Sequence, residues 1–273
     1  MASATFNLAI LLSLKDGASG GLNSFGAQLR KLDKEGKAAT ETLDNLRDKM
    51  NRGLAIAGVG LGGLALTKSI FGQQAQRLIT PPFDVGPFYP IVHPKDVDAD
   101  LTQLEGRKKR AEGDIVYVEG RGLNIKGEPV QNAKIEIWQA NKYGKYAHPS
   151  DPNKTPLDEN FQGFAVINTD SQGRYRFKTV KPGSYPVNPT HLRTPHIHFD
   201  VRGKHNRLAT QMFFPGEPLN EKDILFQELR SRYEVLKPGH TNAEMLIAKQ
   251  LPATREIETG ATLLSWDVVL VNG

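Results

Sequence analysis

The chain has 273 residues, enough for one large domain or two smaller ones with a real hydrophobic core. Its 24% charged and 38% hydrophobic content is that of a soluble globular protein, and the absence of cysteine excludes disulfide scaffolds, thiolate zinc sites and cysteine nucleophiles. Residues 1–77 hold ten Lys/Arg against six Asp/Glu and so most of the net charge of +5; the remainder is nearly neutral, and no nucleic-acid partner is expected.

At the N-terminus, the apolar run Phe6–Leu14 has no preceding basic residue and meets Lys15-Asp16 at once. It makes a poor secretory signal, so a cytoplasmic location is expected. Leu22, Phe25, Leu29, Leu32, Gly36, Ala39, Leu43, Leu46 and Met50 then follow 3-4 spacing, which predicts an amphipathic helix or short coiled coil weakened at Gly36. The Gly-rich apolar stretch from Gly53 to Leu66 is shorter than the roughly 20 residues a membrane span needs. It reads as a packed or interfacial helix. This leader, residues 1–77, resembles in composition the start of phage tail tape-measure proteins and is read as an appended segment.

Residues 78–273 read differently. Asp114–Gly122, Ala133–Trp138, Phe164–Asn168, Arg174–Thr179, Pro195–Arg202 and Leu208–Phe214 are strand-like runs separated by Gly, Pro, Asn and Asp. Asn220–Leu236 has helical spacing, and Leu263–Val271 reads as one terminal strand. With no long helices between the strands, the expected fold is mainly β, an antiparallel β-sandwich with peripheral helices, preceded by the helical leader.

Any metal in a chain without cysteine must be held by His, Tyr, Asp or Glu. In Pro195-His196-Ile197-His198-Phe199, period-2 geometry puts both histidines on one strand face, about 6.5–7 Å apart at Cα, within reach of one ion. Cupins also use a His-x-His pair but add a Glu a few residues on; here Phe199-Asp-Val-Arg-Gly203 follows, with none. Tyr146 and Tyr185 lie in turn-like segments, Asn141–His148 and Lys181–Pro186, and each taken singly reads as a packed side chain. Trp138 reads as core, His148 and Asp151 as a solvated loop, and Arg107-Lys-Lys-Arg110 as another.

Six segments in order carry a resemblance: Gly86-Pro-Phe-Tyr-Pro90; Gly127–Asn141; Tyr143-Gly-Lys-Tyr146-Ala-His148; Thr169–Phe177; Lys181-Pro-Gly-Ser-Tyr-Pro186; and Arg193-Thr-Pro-His-Ile-His-Phe199. Together they resemble the intradiol ring-cleavage dioxygenases, most of all the protocatechuate 3,4-dioxygenase branch. The resemblance implies Fe(III) held by Tyr146, Tyr185, His196 and His198. It implies that Tyr185 is the ligand that leaves, that Arg193 polarises the substrate, and that Gln211 stands behind them. The implied substrates are an aromatic diol and O2, and the implied product a cis,cis-muconate. The enzymes the chain resembles assemble from two related subunit types, but Gly86-Pro87 and all four ligands share this one chain, so a self-contained homo-oligomer is expected. Two phenolates and a hydroxide would neutralise Fe(III), and such hard anionic oxygens with imidazole favour iron over zinc or copper.

The sequence departs from that pattern in two places. Val187-Asn-Pro-Thr190 stands where the protocatechuate enzymes have a substrate-packing Trp, and Phe161-Gln-Gly-Phe164 lacks the family's Arg. The long helical dimerisation region of catechol 1,2-dioxygenases is not recognisable in residues 1–77 either. Two other readings fit parts of the sequence. The Gly-x-Pro-Val, Thr-Asp-x-x-Gly and Lys-Pro-Gly-x-Tyr turns also occur in metal-free transthyretin-like or CnaB-like binding sandwiches, and the leader allows a phage structural protein decorated by a β-domain.

Overall fold

The structure, a computed structural model, describes residues 77–188, 190–234 and 241–272. The helix expected over residues 22–50 and the Gly-rich run after it lie outside them. In chain order the elements are β1 (Ile115–Asn124), β2 (Lys134–Trp138), β3 (Phe164–Asn168), β4 (Arg174–Val180), β5 (Tyr185–Asn188), β6 (His191–Arg193), β7 (His196–Arg202), β8 (Arg207–Phe213), α1 (Ile224–Glu234), β9 (Lys249–Leu251), β10 (Thr262–Ser265) and β11 (Val268–Leu270). Single 3-10 turns at Pro218–Glu221 and Ala243–Leu246 flank α1.

Two sheets form the expected sandwich. One is antiparallel, in the order β3-β2-β7-β8. In the other, β1 pairs antiparallel with β4 along one edge and parallel with β10 and then β11 along the opposite edge, while β9 extends β10. The terminal strand expected over Leu263–Val271 is therefore two strands. Between them the Asp267 carboxylate accepts the Arg121 N–H at 3.0 Å, taking the place of a ladder carbonyl. The short β5–β6 hairpin stands apart from both sheets.

Strand periodicity decides what each face carries. In β7, Ile197, Phe199 and Val201 join Ile135 and Ile137 of β2, Met212 of β8, Val116 and Val118 of β1 and Phe177 of β4 in the core between the sheets. Each such side chain contributes about 1.5–3 kcal/mol on burial. The alternate residues, His196, His198 and Asp200, face outward, yet they too are buried. The histidines lie against a second apolar cluster of Phe88, Trp138, Ala140, Tyr146, Phe164 and Tyr185, while Asp200 pairs with Arg202 and Arg207. A strand at the centre of a sheet, buried on both faces, thus carries its histidines into a buried cluster outside the main core.

Candidate metal centre

The four donors come from three elements. β7 supplies His196 and His198. Tyr146 sits in the loop after β2, where the Asn141 side-chain carbonyl accepts the N–H groups of Tyr143 (2.9 Å) and Lys145 (3.0 Å) and curls the chain. Tyr185 opens β5. The two tyrosine loops touch backbone to backbone, because Gly183 N–H donates to Asn141 O at 2.9 Å. A Cβ on Gly183 would lie 2.4 Å from Lys142 O, and one on Gly144, at φ 76°, would lie 2.2 Å from Ser184 O. Glycine at both positions is what brings the two phenols together.

The four donor atoms converge. His196 Nε2 lies 3.2 Å from His198 Nε2, Tyr146 Oη 3.1 Å from His198 Nε2, and Tyr185 Oη 3.4 Å from His196 Nε2. Donors bound to one first-row metal ion at about 2.0 Å stand about 3.3 Å apart, so these spacings fit the edges of a coordination shell. The donor set also fits. His196 donates its Nδ1–H to Thr194 O at 2.7 Å, which leaves a lone pair on Nε2 pointing at the other donors. Among the described residues, no group of three or more His, Asp or Glu is placed to hold a metal ion. A metal in this pocket would depend on phenol oxygens for half of these donors.

Electrostatics point the same way. Burial, reinforced by the neighbouring Tyr185, pushes the Tyr146 phenol well above its ordinary 10. Burial also raises Tyr185, against the opposing effect of Arg193. Burial, then the Arg193 charge, drives both imidazoles well below 6.5. The protein alone therefore keeps all four groups neutral. A multivalent cation is what would make two phenolates stable here.

Arg193, at the end of β6, is itself buried, and its guanidinium is held from two sides. Nε donates to Asp223 Oδ2 and Nη2 to Gln211 Oε1, both at 2.8 Å. Gln211 donates in turn to Asp84 O at 2.8 Å, tying the arrangement to the segment that runs into Gly86-Pro87. The structure thus brings together every residue singled out in the sequence: Tyr146, Tyr185, His196 and His198 at the centre, Arg193 beside them and Gln211 behind Arg193.

A family model described as dioxygenase matches residues 85–272 of this chain. The chain belongs to the intradiol ring-cleavage dioxygenase family. The protocatechuate 3,4-dioxygenase beta chain of Burkholderia cepacia is 45% identical over 135 residues, covering 48% of this chain and 57% of that one. The catechol 1,2-dioxygenase of Acinetobacter baylyi is 32% identical over 153 residues, covering 51% of this chain and 48% of that one. The chain spans about half the length of the curated relatives it matches. In fold, the wild-type catechol 1,2-dioxygenase of Acinetobacter radioresistens superposes with a TM-score of 0.54 at 22% identity, covering 92% of this chain and 83% of that one.

Sequence reasoning missed three features of this dioxygenase fold. Trp138 fills core as expected, in the second cluster, but it also lies flat on the His198 ring at 4.8 Å, with 10° between the planes. Asp151 is not in a solvated loop; it is buried and accepts the Tyr146 N–H at 2.7 Å. The Asp-x-Asn spacing that turns the loop back after Tyr146 was the available signal, since Asp151 Oδ1 also accepts Asn153 N–H at 2.8 Å. Asp223 drew no notice, because only the folded chain sets it beside Arg193. Arg107-Lys-Lys-Arg110 is exposed, as expected, and Arg110 bridges to Glu258 at 2.9 Å. Among the described residues, no helix is long and apolar enough to cross a membrane.

Proposed function

We propose that this chain is a non-haem Fe(III) dioxygenase that opens an aromatic diol between its two hydroxyl-bearing carbons, using O2, to give a cis,cis-muconate-type product. Two phenol oxygens and two imidazole nitrogens, each 3.1–3.4 Å from the next, carry this reading. Tyr146, Tyr185, His196 and His198 would hold the iron. When bound, Fe(III) supplies a Lewis acid for the two diol oxygens and activates the ring toward O2.

The chain's own residues do the rest. Tyr185, on a short hairpin outside both sheets, would be the phenolate that accepts a proton from the incoming diol. Tyr146 is anchored at its N–H by Asp151. Arg193 is fixed by Asp223 and Gln211, so its charge needs no reorganisation to stabilise negative charge on the substrate oxygen. Phe88 packs edge-on against Tyr185 and Trp138 lies flat on His198, so both help exclude water from the donor atoms.

The long stretch at 45% identity to a protocatechuate 3,4-dioxygenase chain makes protocatechuate the first substrate to try, with catechol and hydroxyquinol beside it. Residues 78–273 are the dioxygenase domain in this reading. Residues 1–77 are an appendage, and the protein is a cytoplasmic homo-oligomer. Iron-loaded protein is expected to consume O2 in a one-to-one ratio with one of these diols and to release the ring-opened dicarboxylate. Absence of O2 uptake with protocatechuate, catechol, hydroxyquinol and chlorocatechols would overturn the assignment. Removal of residues 1–77 should leave activity in place.

A further inference from the structure

Asp223 has two jobs that a single oxygen could not perform. It caps α1: its backbone carbonyl accepts the Gln227 N–H at 2.9 Å and its Oδ1 accepts the Phe226 N–H at 3.0 Å. The cap alone needs one side-chain oxygen, and asparagine serves there as well as aspartate. The second oxygen, Oδ2, faces the pocket. It accepts both Arg193 Nε at 2.8 Å and the Thr194 N–H at 2.9 Å.

Those two contacts hold the Arg193 side chain and the peptide after it, and the Thr194 carbonyl beyond orients His196 through Nδ1 at 2.7 Å. Asn220 closes the same clamp by accepting the Thr194 hydroxyl at 2.8 Å. Asp223 is fully buried and Arg193 nearly so, at 0% and 5% exposed. A charge in that position must be matched, and here each matches the other. The positive end of α1 lies behind the carboxylate and steadies it.

We infer that Asp223 is a positioning residue for the ring-cleavage reaction, setting the guanidinium of Arg193 over the pocket from the N-cap of α1. This rests on the function proposed above. It adds that the first turn of α1, an element with no residue in the metal centre, controls the catalytic arginine.

Three variants of the full chain test it: Asp223→Asn, Arg193→Met and the double substitution. All are loaded with ferric iron and assayed on whichever diol the wild type cleaves. Asp223→Asn keeps an N-cap but loses the charge facing Arg193, and is expected to lower kcat/KM about 10- to 100-fold, as loss of such supporting contacts does. Its iron content should stay at the wild-type level. In the Arg193→Met background the same substitution should cost little further, only what the Thr194 N–H contact contributes, because the inferred role runs through the arginine.

Equal losses in both backgrounds would overturn the inference, since asparagine keeps the cap, and would place the effect in the Thr194 N–H contact instead of Arg193. If Asp223→Asn alone does not fold, the double variant decides, since it leaves neither charge unpaired. Activity equal to that of Arg193→Met supports the proposal, and activity lower by the same 10- to 100-fold contradicts it. A wild type that cleaves no diol counts against the proposed function itself. A wild type that cleaves one, with Asp223→Asn unimpaired, counts against the role of Asp223 alone.

Discussion

On the outer face of the four-stranded sheet, Trp138 of β2 stands opposite His198 of β7; two residues along the same strands, Glu136 stands opposite Asp200. Both ends are buried and polar, but they are satisfied in different ways. At the Asp200 end every charge has a counter-charge. Asp200 meets Arg207 at 2.7 Å and Arg202 at 2.9 Å, and Glu136 meets Lys134 at 2.6 Å and the Tyr89 hydroxyl at 2.8 Å. Burial works against the Glu136 charge, but the bonds from Lys134 and Tyr89 outweigh it and hold the carboxyl below its usual range. At the His198 end two imidazoles and two phenols meet mainly one another, and burial keeps all four neutral. A buried charge whose partners lie alongside is structural. Buried donors that converge on one another, with a lone pair aimed between them, mark the place of a ligand.

Substitutions at the two ends should therefore fail differently. The largest effect is expected for His198→Ala, which should lose bound iron and detectable ring cleavage together while the inner core still folds; metal analysis and O2 uptake check this. Next comes Gly183→Ala. Its methyl group would sit against Lys142 O at 2.4 Å, so the two tyrosine loops must part and iron affinity should fall about 10- to 100-fold without any ligand being changed. Wild-type iron affinity in that variant would show that the loop contact does not set the tyrosines.

At the charged end, Asp200→Asn should leave iron and turnover in place and cost about 1–3 kcal/mol of stability, read from denaturant unfolding. Loss of iron there would erase the distinction between the ends. The smallest effect lies on the other sheet, where Arg110 (2.9 Å) and Lys178 (2.6 Å) bind Glu258 and lower its pKa to about 2. The folded value is depressed, so this stabilisation is present above the ordinary 4.5 and is lost as pH falls from there toward 2. Glu258 is partly exposed, so solvent screening limits the pair to at most about 1 kcal/mol at neutral pH. Glu258→Gln should remove that difference and flatten the stability profile in this acid range.

Much of this was legible in the sequence, and the exceptions share one cause. The strands carry alternation or turn signals at both ends, so β3 was predicted at its observed bounds and β2, β4, β7 and β8 within a residue or so. His196 and His198 share a face because strand period is two, a property any isolated strand already has. The β5–β6 hairpin and β9 carry three or four residues each, too few for a period to register. The break at Trp266-Asp267 depends on Arg121, 146 positions away in sequence. Asp223 and Trp138 likewise take their roles from neighbours that only the fold supplies. The tyrosines stood between, ambiguous in composition and decided by the words around them.

Phenolate coordination of Fe(III) is tested most directly by visible absorption of the ferric-loaded protein. One ferric ion per chain with a phenolate-to-Fe(III) charge-transfer colour, shifted or lost in Tyr185→Phe, is the expected result. A colourless protein that takes up no stoichiometric iron after reconstitution would contradict it.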